Sequence, residues 1–200
     1  MALDVGDLSG DPIEQFSRWY AEAKEAGQPE PEAFALATSA SDGQTSVRFV
    51  LLRGVDHRGF VFYTNARSRK GQEIAASGWA ALAFRWDRTN RQVRIAGRAT
   101  VIPAAESDAY FATRARGSQI GAWASDQSEP VASRAELDRR FDEVAARFEG
   151  RPVSRPPWWC GFRVAPREME FWQQGDFRLH DRFRYLRTPG GGWGLERLHP

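Results

Sequence analysis

The chain has 200 residues, 42% hydrophobic and 27% charged, which fits one globular domain with a real core and excludes a mainly disordered chain. No apolar run approaches the roughly 20 residues of a membrane-spanning helix, and the acidic start lacks the apolar segment of a signal peptide. The single cysteine, Cys160, excludes an intramolecular disulfide and any multi-cysteine metal site, so a reducing cytoplasm is the expected compartment.

In chain order, residues 1–10 read as a loose tail, and one domain is expected over 11–200. Asp11 and Pro12 have the pattern of an N-cap and first helical position, and Ile13, Phe16, Trp19, Tyr20 and Ala23 then form one apolar stripe. Gly27, Pro29 and Pro31 end that helix. Strands follow at 34–40, 46–55 and 60–65, separated by turn residues at 41–43 and 56–59. A short helix is expected at 68–76, then a hairpin of 79–86 and 92–102 around 87–90. Pro103 starts another helix, and the Gly-, Ser- and Gln-rich stretch 115–132 reads as a structured loop. At 133–148, Ser133 and Glu136 are spaced as a capping box, with Leu137, Phe141, Val144, Ala145 and Phe148 on one face. After a proline-rich loop at 151–157, strands are expected at 161–164, 168–173, 182–186 and 193–198. Short strands joined by hairpins, with helices between them, predict a mainly β fold with helices (α+β): a closed or nearly closed antiparallel barrel.

The charge is unevenly spread. Residues 1–33 hold eight acids against Arg18 and Lys24, net −6, so the remainder carries +8 of the overall +2. Only Lys24 and Lys70 are lysines; the other bases are arginines, the better bidentate partners of phosphate, although a GC-rich coding bias has the same effect. No run of five or more bases occurs, so nucleic acid is not an expected partner.

Three stretches are richer in polar groups than a strand requires. Arg48 and Arg53 bracket an apolar run and, on one continuous strand, face opposite sides. Residues 63–71 end a strand in Tyr63, Thr64 and Asn65, then open a helix with Arg69 and Lys70 in its first turn. Cations there oppose the helix dipole unless an anion sits between them, so this is a candidate phosphate cradle; a Ser68-capped helix with solvated charges is the plain alternative. Arg178, His180 and Arg182 alternate, and on a strand they share one face where a polyanionic or electron-rich ligand would relieve their repulsion. His180 has no companion ligands at metal spacing, so no metal is expected. Cys160 reads as a small buried apolar residue, and Trp86, Trp123 and Trp172 as core residues with the capacity to stack on a planar ring.

The segment EFWQQGDFRLHDR at 170–182 closely resembles the C-terminal signature of the pyridoxine/pyridoxamine 5′-phosphate oxidases. RFVLLR, FYTNARSRKG, NRQVRIAG, YFATRARGSQIGAWASDQS and LERLHP follow the family order from about residue 11 to Pro200. The resemblance implies an FMN-binding split β-barrel and a homodimer with two sites, each built from both chains. It implies FMN contacts from Arg48, Val50, Leu51, Tyr63, Thr64, Arg69, Lys70, Gln92, Gln127, Ser128, Trp172 and Arg182. Substrate phosphate would meet Arg53, Tyr110, Arg114 and Ser118, with Arg178 and His180, the catalytic pair, over the pyridine ring. The implied reaction oxidises pyridoxamine or pyridoxine 5′-phosphate with O2 to pyridoxal 5′-phosphate and hydrogen peroxide. Three departures stand out: Arg53 where the family usually has lysine, Ala115 where it usually has proline, and no Arg-x-x-Tyr segment near the start. A flavin oxidase of the same barrel acting on a phenazine precursor, or a non-catalytic flavin protein, are the alternatives.

Overall fold

The computed structural model describes residues 3–200. Nine strands form one antiparallel sheet: β1 (Ala33–Ser39), β2 (Thr45–Leu51), β3 (Gly54–Asp56), β4 (Gly59–Asn65), β5 (Trp79–Trp86), β6 (Arg91–Val101), β7 (Trp159–Gln173), β8 (Asp181–Arg187) and β9 (Trp193–Arg197). The order is β2-β1-β5-β6-β7-β4-β3, with β8 added to β7 and β9 to β8. Five helices accompany them: α1 (Pro12–Glu25), α2 (Arg69–Ser77), α3 (Ala104–Ala112), α4 (Arg116–Ala124) and α5 (Arg134–Arg147). None is long and apolar enough to cross a membrane.

β2 and β3 stand at opposite ends of the sheet order, yet only Leu52 and Arg53 separate them. The Leu52 N–H bonds to Glu32 O, ahead of β1, while the Arg53 N–H bonds to Val61 O on β4. A link of this length spans only about 11 Å, so the sheet must curl until its edges meet. The single strand expected at 46–55 is therefore two strands. The curl is an antiparallel half-barrel of the expected class, filled by α1: Phe16 packs edge-on to Phe60 at 4.8 Å and Phe84 at 5.0 Å, with Trp86 at 5.7 Å. Asp11 caps α1 through its side chain, as its position predicts, and Ile13, Phe16, Trp19 and Ala23 are buried.

Other expectations change. β7 is one strand of 15 residues rather than two. Pro166 sits where the β6–β7 register shifts at Ala96/Gly97, and a bulge is where a sheet tolerates proline. Gly97 is required there, because a Cβ would lie 2.1 Å from Ala165 O. The stretch 115–132 is not all loop: α4 forms without a side-chain cap, braced by the Arg116 guanidinium on Phe148 O and Arg151 O and by the Trp123 indole on Ser154 O. Its glycines and serine hid the helix, which tertiary bonds stabilise. Residues 3–10 are docked rather than loose; residues 1 and 2 of that expected tail lie outside the described residues. Leu3 is buried, its N–H bonds to Asp181 Oδ2 at 2.8 Å, and the Tyr185 hydroxyl donates to Ser9 O at 2.6 Å.

Phe16→Ala should destabilise the fold by about 3–5 kcal/mol, the usual cost of emptying a core aromatic site. Urea denaturation checks this; a loss below about 1 kcal/mol would mean that α1 does not organise the barrel core.

Candidate active site

A cleft of about 630 Å³ opens along the seam where the sheet edges meet, a size suited to small ligands and cofactors. β2 and the link supply Arg48, Val50, Leu51 and Arg53, β4 supplies Tyr63 and Thr64, α2 supplies Lys70, and the opposite wall carries Tyr110, Arg114, Ser118 and Gln127. Because the strand breaks at 52–53, Arg48 and Arg53 line one cleft instead of facing apart.

The first group of cations surrounds the start of α2. Ser68 occupies the N-cap position of α2, but its hydroxyl donates to Asn65 O at 2.6 Å and makes no capping bond to the helix. The buried Lys70 ammonium donates to Ser68 Oγ at 3.2 Å and to Gln127 Oε1 at 3.1 Å, and the Thr64 hydroxyl donates to the same Gln127 oxygen at 2.9 Å. Burial, reinforced by the Arg48 charge and opposed by Glu73, pulls the Lys70 pKa down to about 8. Arg48 is held from both sides, by Leu36 O and the Thr38 hydroxyl on Nη1 and by the Ser46 hydroxyl on Nη2. Arg69 stands half-exposed beside this group, with Nε on Glu73 at 2.8 Å.

The second group is aromatic-backed. Tyr63 stacks on Tyr110 at 4.1 Å and on Trp159 at 5.0 Å. The Arg114 guanidinium lies over Trp159 at 4.9 Å and Phe111 at 5.5 Å. Burial and the nearby Arg53 charge lower its pKa, while Tyr110 opposes that shift. Among the described residues, Arg114 Nη1 and Gln15 Nε2 are the buried side-chain atoms without a hydrogen-bond partner. A buried guanidinium N–H left unpaired beside a second arginine fits an anionic oxygen as its missing acceptor. Tyr110, Arg114 and Ser118 recur every four residues and do converge on this cleft, from the end of α3, the following turn and α4.

The remaining expected residues do not line this cleft. Gln92, Trp172 and Arg182 are cross-strand neighbours on β6, β7 and β8. Glu170, buried on β7, holds Arg182 Nε at 2.9 Å and also pairs with Arg94; burial would raise its pKa, but the two arginines hold it below the usual value. Arg178 and His180 are not on a strand, contrary to the alternation argument: residues Asp176–Arg178 form a 3-10 turn with Phe177 and Arg178 at φ 55° and 65°. His180 packs 4.6 Å from Trp172, and its Nδ1 accepts the Gly175 N–H at 3.3 Å. Ser128, at φ 78°, lies on the exposed loop beside Gln127. Cys160 is buried as expected, and burial raises its pKa. Trp86 is core, whereas Trp159, which no spacing argument distinguished, lines the cleft.

The pattern described as "Pyridoxamine 5′-phosphate oxidase" matches residues 20–148, and that described as "Pyridoxine 5′-phosphate oxidase C-terminal dimerisation region" matches residues 159–200. The chain belongs to the pyridoxamine 5′-phosphate oxidase family. A relative from Rubrobacter xylanophilus named pyridoxine/pyridoxamine 5′-phosphate oxidase is 58% identical over 190 residues, covering 95% of this chain and 87% of its own. One of the same name from Myxococcus xanthus is 52% identical, covering 95% of this chain and 92% of its own. Among solved structures, PhzG from Burkholderia lata 383 in complex with tetrahydrophenazine-1-carboxylic acid superposes with a TM-score of 0.93 at 37% identity, covering 100% and 98% of the two chains. A pyridoxamine 5′-phosphate oxidase-related, FMN binding protein from Nostoc punctiforme, 17% identical with a TM-score of 0.76 over 96% of this chain and 100% of its own, shares the split-barrel fold. Membership makes the chain an oxidoreductase of a flavin-binding fold family that carries its own dimerisation region.

The start of α2 packs against the β4 turn through Gly71, where a Cβ would fall 2.3 Å from Ala66 O. Gly71→Ala should push α2 off the β4 turn and cost about 2–4 kcal/mol, a range typical of forced backbone displacement; a thermal melt unchanged from the parent protein would show that the turn yields freely.

Proposed function

We propose that the protein oxidises pyridoxamine 5′-phosphate and pyridoxine 5′-phosphate to pyridoxal 5′-phosphate with FMN as cofactor and O2 as acceptor. The observation that carries this reading is the pair of cationic groups in one cleft: Arg48 with Lys70, and Arg53 with the orphaned Arg114 Nη1. Two phosphate-bearing molecules, a flavin nucleotide and a phosphorylated substrate, fit such a division. Arg48, Arg69, Lys70, Thr64 and Gln127 would hold the FMN phosphate, with Val50, Leu51 and Tyr63 lining its place. The flavin, when bound, supplies the two-electron redox chemistry that no side chain here can perform. Arg53 and Arg114 would grip the substrate phosphate, with the Tyr110 and Ser118 hydroxyls as further donors.

Gln92, Trp172, Arg178, His180 and Arg182 lie outside that cleft, and we assign them to the cleft of a second copy in a homodimer. Support comes from the matched dimerisation region, which contains four of these five, and from Val47 and Phe49, 68% and 79% exposed on β2 beside the cleft. Arg178 would orient the reacting amine or hydroxyl. His180, with Nδ1 accepting from Gly175, has Nε2–H left to donate to a ring substituent. A phenazine-precursor oxidase is the second reading, favoured by the PhzG likeness; the orphaned Arg114 donor favours a phosphorylated substrate instead.

An aerobic assay of FMN-loaded protein with pyridoxamine 5′-phosphate tests the reaction: pyridoxal 5′-phosphate and peroxide should form together, and no product from fully loaded protein would reject this substrate class. Arg178→Ala should retain FMN yet slow oxidation at least about tenfold, or about 1.4 kcal/mol in the barrier; an unchanged rate would remove Arg178 from the reaction.

FMN affinity should also depend on pH. Burial holds the Lys70 pKa at about 8, below the ordinary lysine value of 10.5, so the flavin-free fold carries the ammonium below about pH 8 and loses it above. A bound phosphate favours the charged form, so FMN dissociation should strengthen as pH rises through about 8. Fluorescence titration of flavin-free protein on either side of that value reads the effect, and a flat profile would show that Lys70 does not meet the phosphate.

A further inference from the structure

A buried carboxylate beside a phosphate cradle needs a reason, because it repels the ligand. Glu73 is one turn into α2 and only 5% exposed. Its Oε1 accepts Arg69 Nε at 2.8 Å, and its Oε2 accepts the hydroxyls of Thr38 on β1 and Ser46 on β2, with Arg48 Nη2 at 3.5 Å. Each hydroxyl has one proton, and each donates it to Glu73, so each must accept from elsewhere. Both accept from Arg48, Thr38 from Nη1 and Ser46 from Nη2. The carboxylate thus fixes the direction of two hydroxyls, and these fix the plane of the guanidinium.

We propose that Glu73 is the positioning residue of the cofactor-phosphate cradle, aiming Arg48 through Thr38 and Ser46 and Arg69 directly. This rests on FMN being the cofactor. Arg48, Arg69 and Lys70 with one carboxylate leave a net charge near +2, matched to a phosphate monoester of about −1.5 to −2. Burial opposes ionisation of Glu73, but the bonds from Ser46, Thr38 and Arg69 outweigh it and hold its pKa at about 2, so it stays charged. Glutamine cannot replace it: with its amide nitrogen toward the hydroxyls it confronts two donors, and with that nitrogen toward Arg69 it confronts Nε–H. Removing the charge also withdraws the one group here that holds the Lys70 proton in place against burial and Arg48. The two losses act together and exceed the relief of repulsion between carboxylate and phosphate.

The test compares FMN with riboflavin, which has the same ring system and no phosphate. Flavin-free full-length protein and its Glu73→Gln variant are titrated with each and followed by flavin fluorescence. The variant should bind FMN about tenfold or more weakly, while riboflavin affinity stays within about twofold. Ser46→Ala, which keeps Glu73 and removes one bridge to Arg48, should show a smaller loss of the same selectivity. Equal FMN affinity in Glu73→Gln overturns the proposal. Equal losses for FMN and riboflavin also overturn it, since they mark a general fold defect. Should Glu73→Gln fail to fold, Ser46→Ala decides: an unchanged FMN-to-riboflavin ratio overturns the assignment. A parent protein that binds no FMN overturns both this role and the cofactor reading. Because the titration reads binding alone, absent turnover on pyridoxamine 5′-phosphate would count against the reaction and leave this result standing.

Discussion

The fold and the cleft both depend on how short the link Leu52–Arg53 is. Those two residues tie β2, at one end of the sheet order, to β3 at the other. A sheet with its edges tethered this closely has no flat solution, so it curls around α1 and leaves a seam. The cleft is that seam. Its cations arrive there because Arg48 and Arg53 are carried to one place by the same constraint, and Lys70 follows from the helix that caps β4.

β7 links the cleft to the residues assigned outside it. Its first part pairs with β4, beside the cleft, and its last part with β8, beside Trp172 and Arg182. The bulge opposite Gly97 lets one continuous strand serve both partners. Electrostatics then follows the architecture. On the cleft side, clustered cations are braced by aromatic rings and a single buried carboxylate; on the far side, Glu170 braces Arg182 in the same manner. In both places a buried acid directs an arginine. Arginine suits the arrangement because it keeps its proton under burial that pulls Lys70 toward neutrality.

Most strands and helices were legible from alternation, turn residues and caps, because those signals are local. α1 is the clearest case: Asp11, Pro12 and the apolar stripe specify its start and its buried face. What failed was what depends on distant partners. α4 has no cap and two glycines, and its stability comes from Arg116 and Trp123 reaching the segment after α5. The break at 52–53 was invisible because either residue is at home in a strand; only the return of the chain to β4 ends β2. Arg178 and His180 looked like strand positions by spacing, yet Arg178 ends a 3-10 turn and His180 lies between that turn and β8. The cluster of cations at the start of α2 could be read from charge placed against a helix dipole. Glu73 could not, since an acid four residues after an arginine on a helix ordinarily marks a solvated pair.

The turn at 176–178 has a consequence for the energetics of the chain. Gly175 lets it close, since a Cβ there would sit 2.1 Å from Leu179 O. Phe177 then occupies the left-handed region, where a bulky side chain costs roughly 1–3 kcal/mol, and its ring is 94% exposed. Asparagine or glycine would hold the same backbone at lower cost and forfeit no contact within the protomer. Position 177 is thus a reserve of unclaimed stability: the isolated chain could be made firmer there by giving up an aromatic ring whose packing value lies outside its own core.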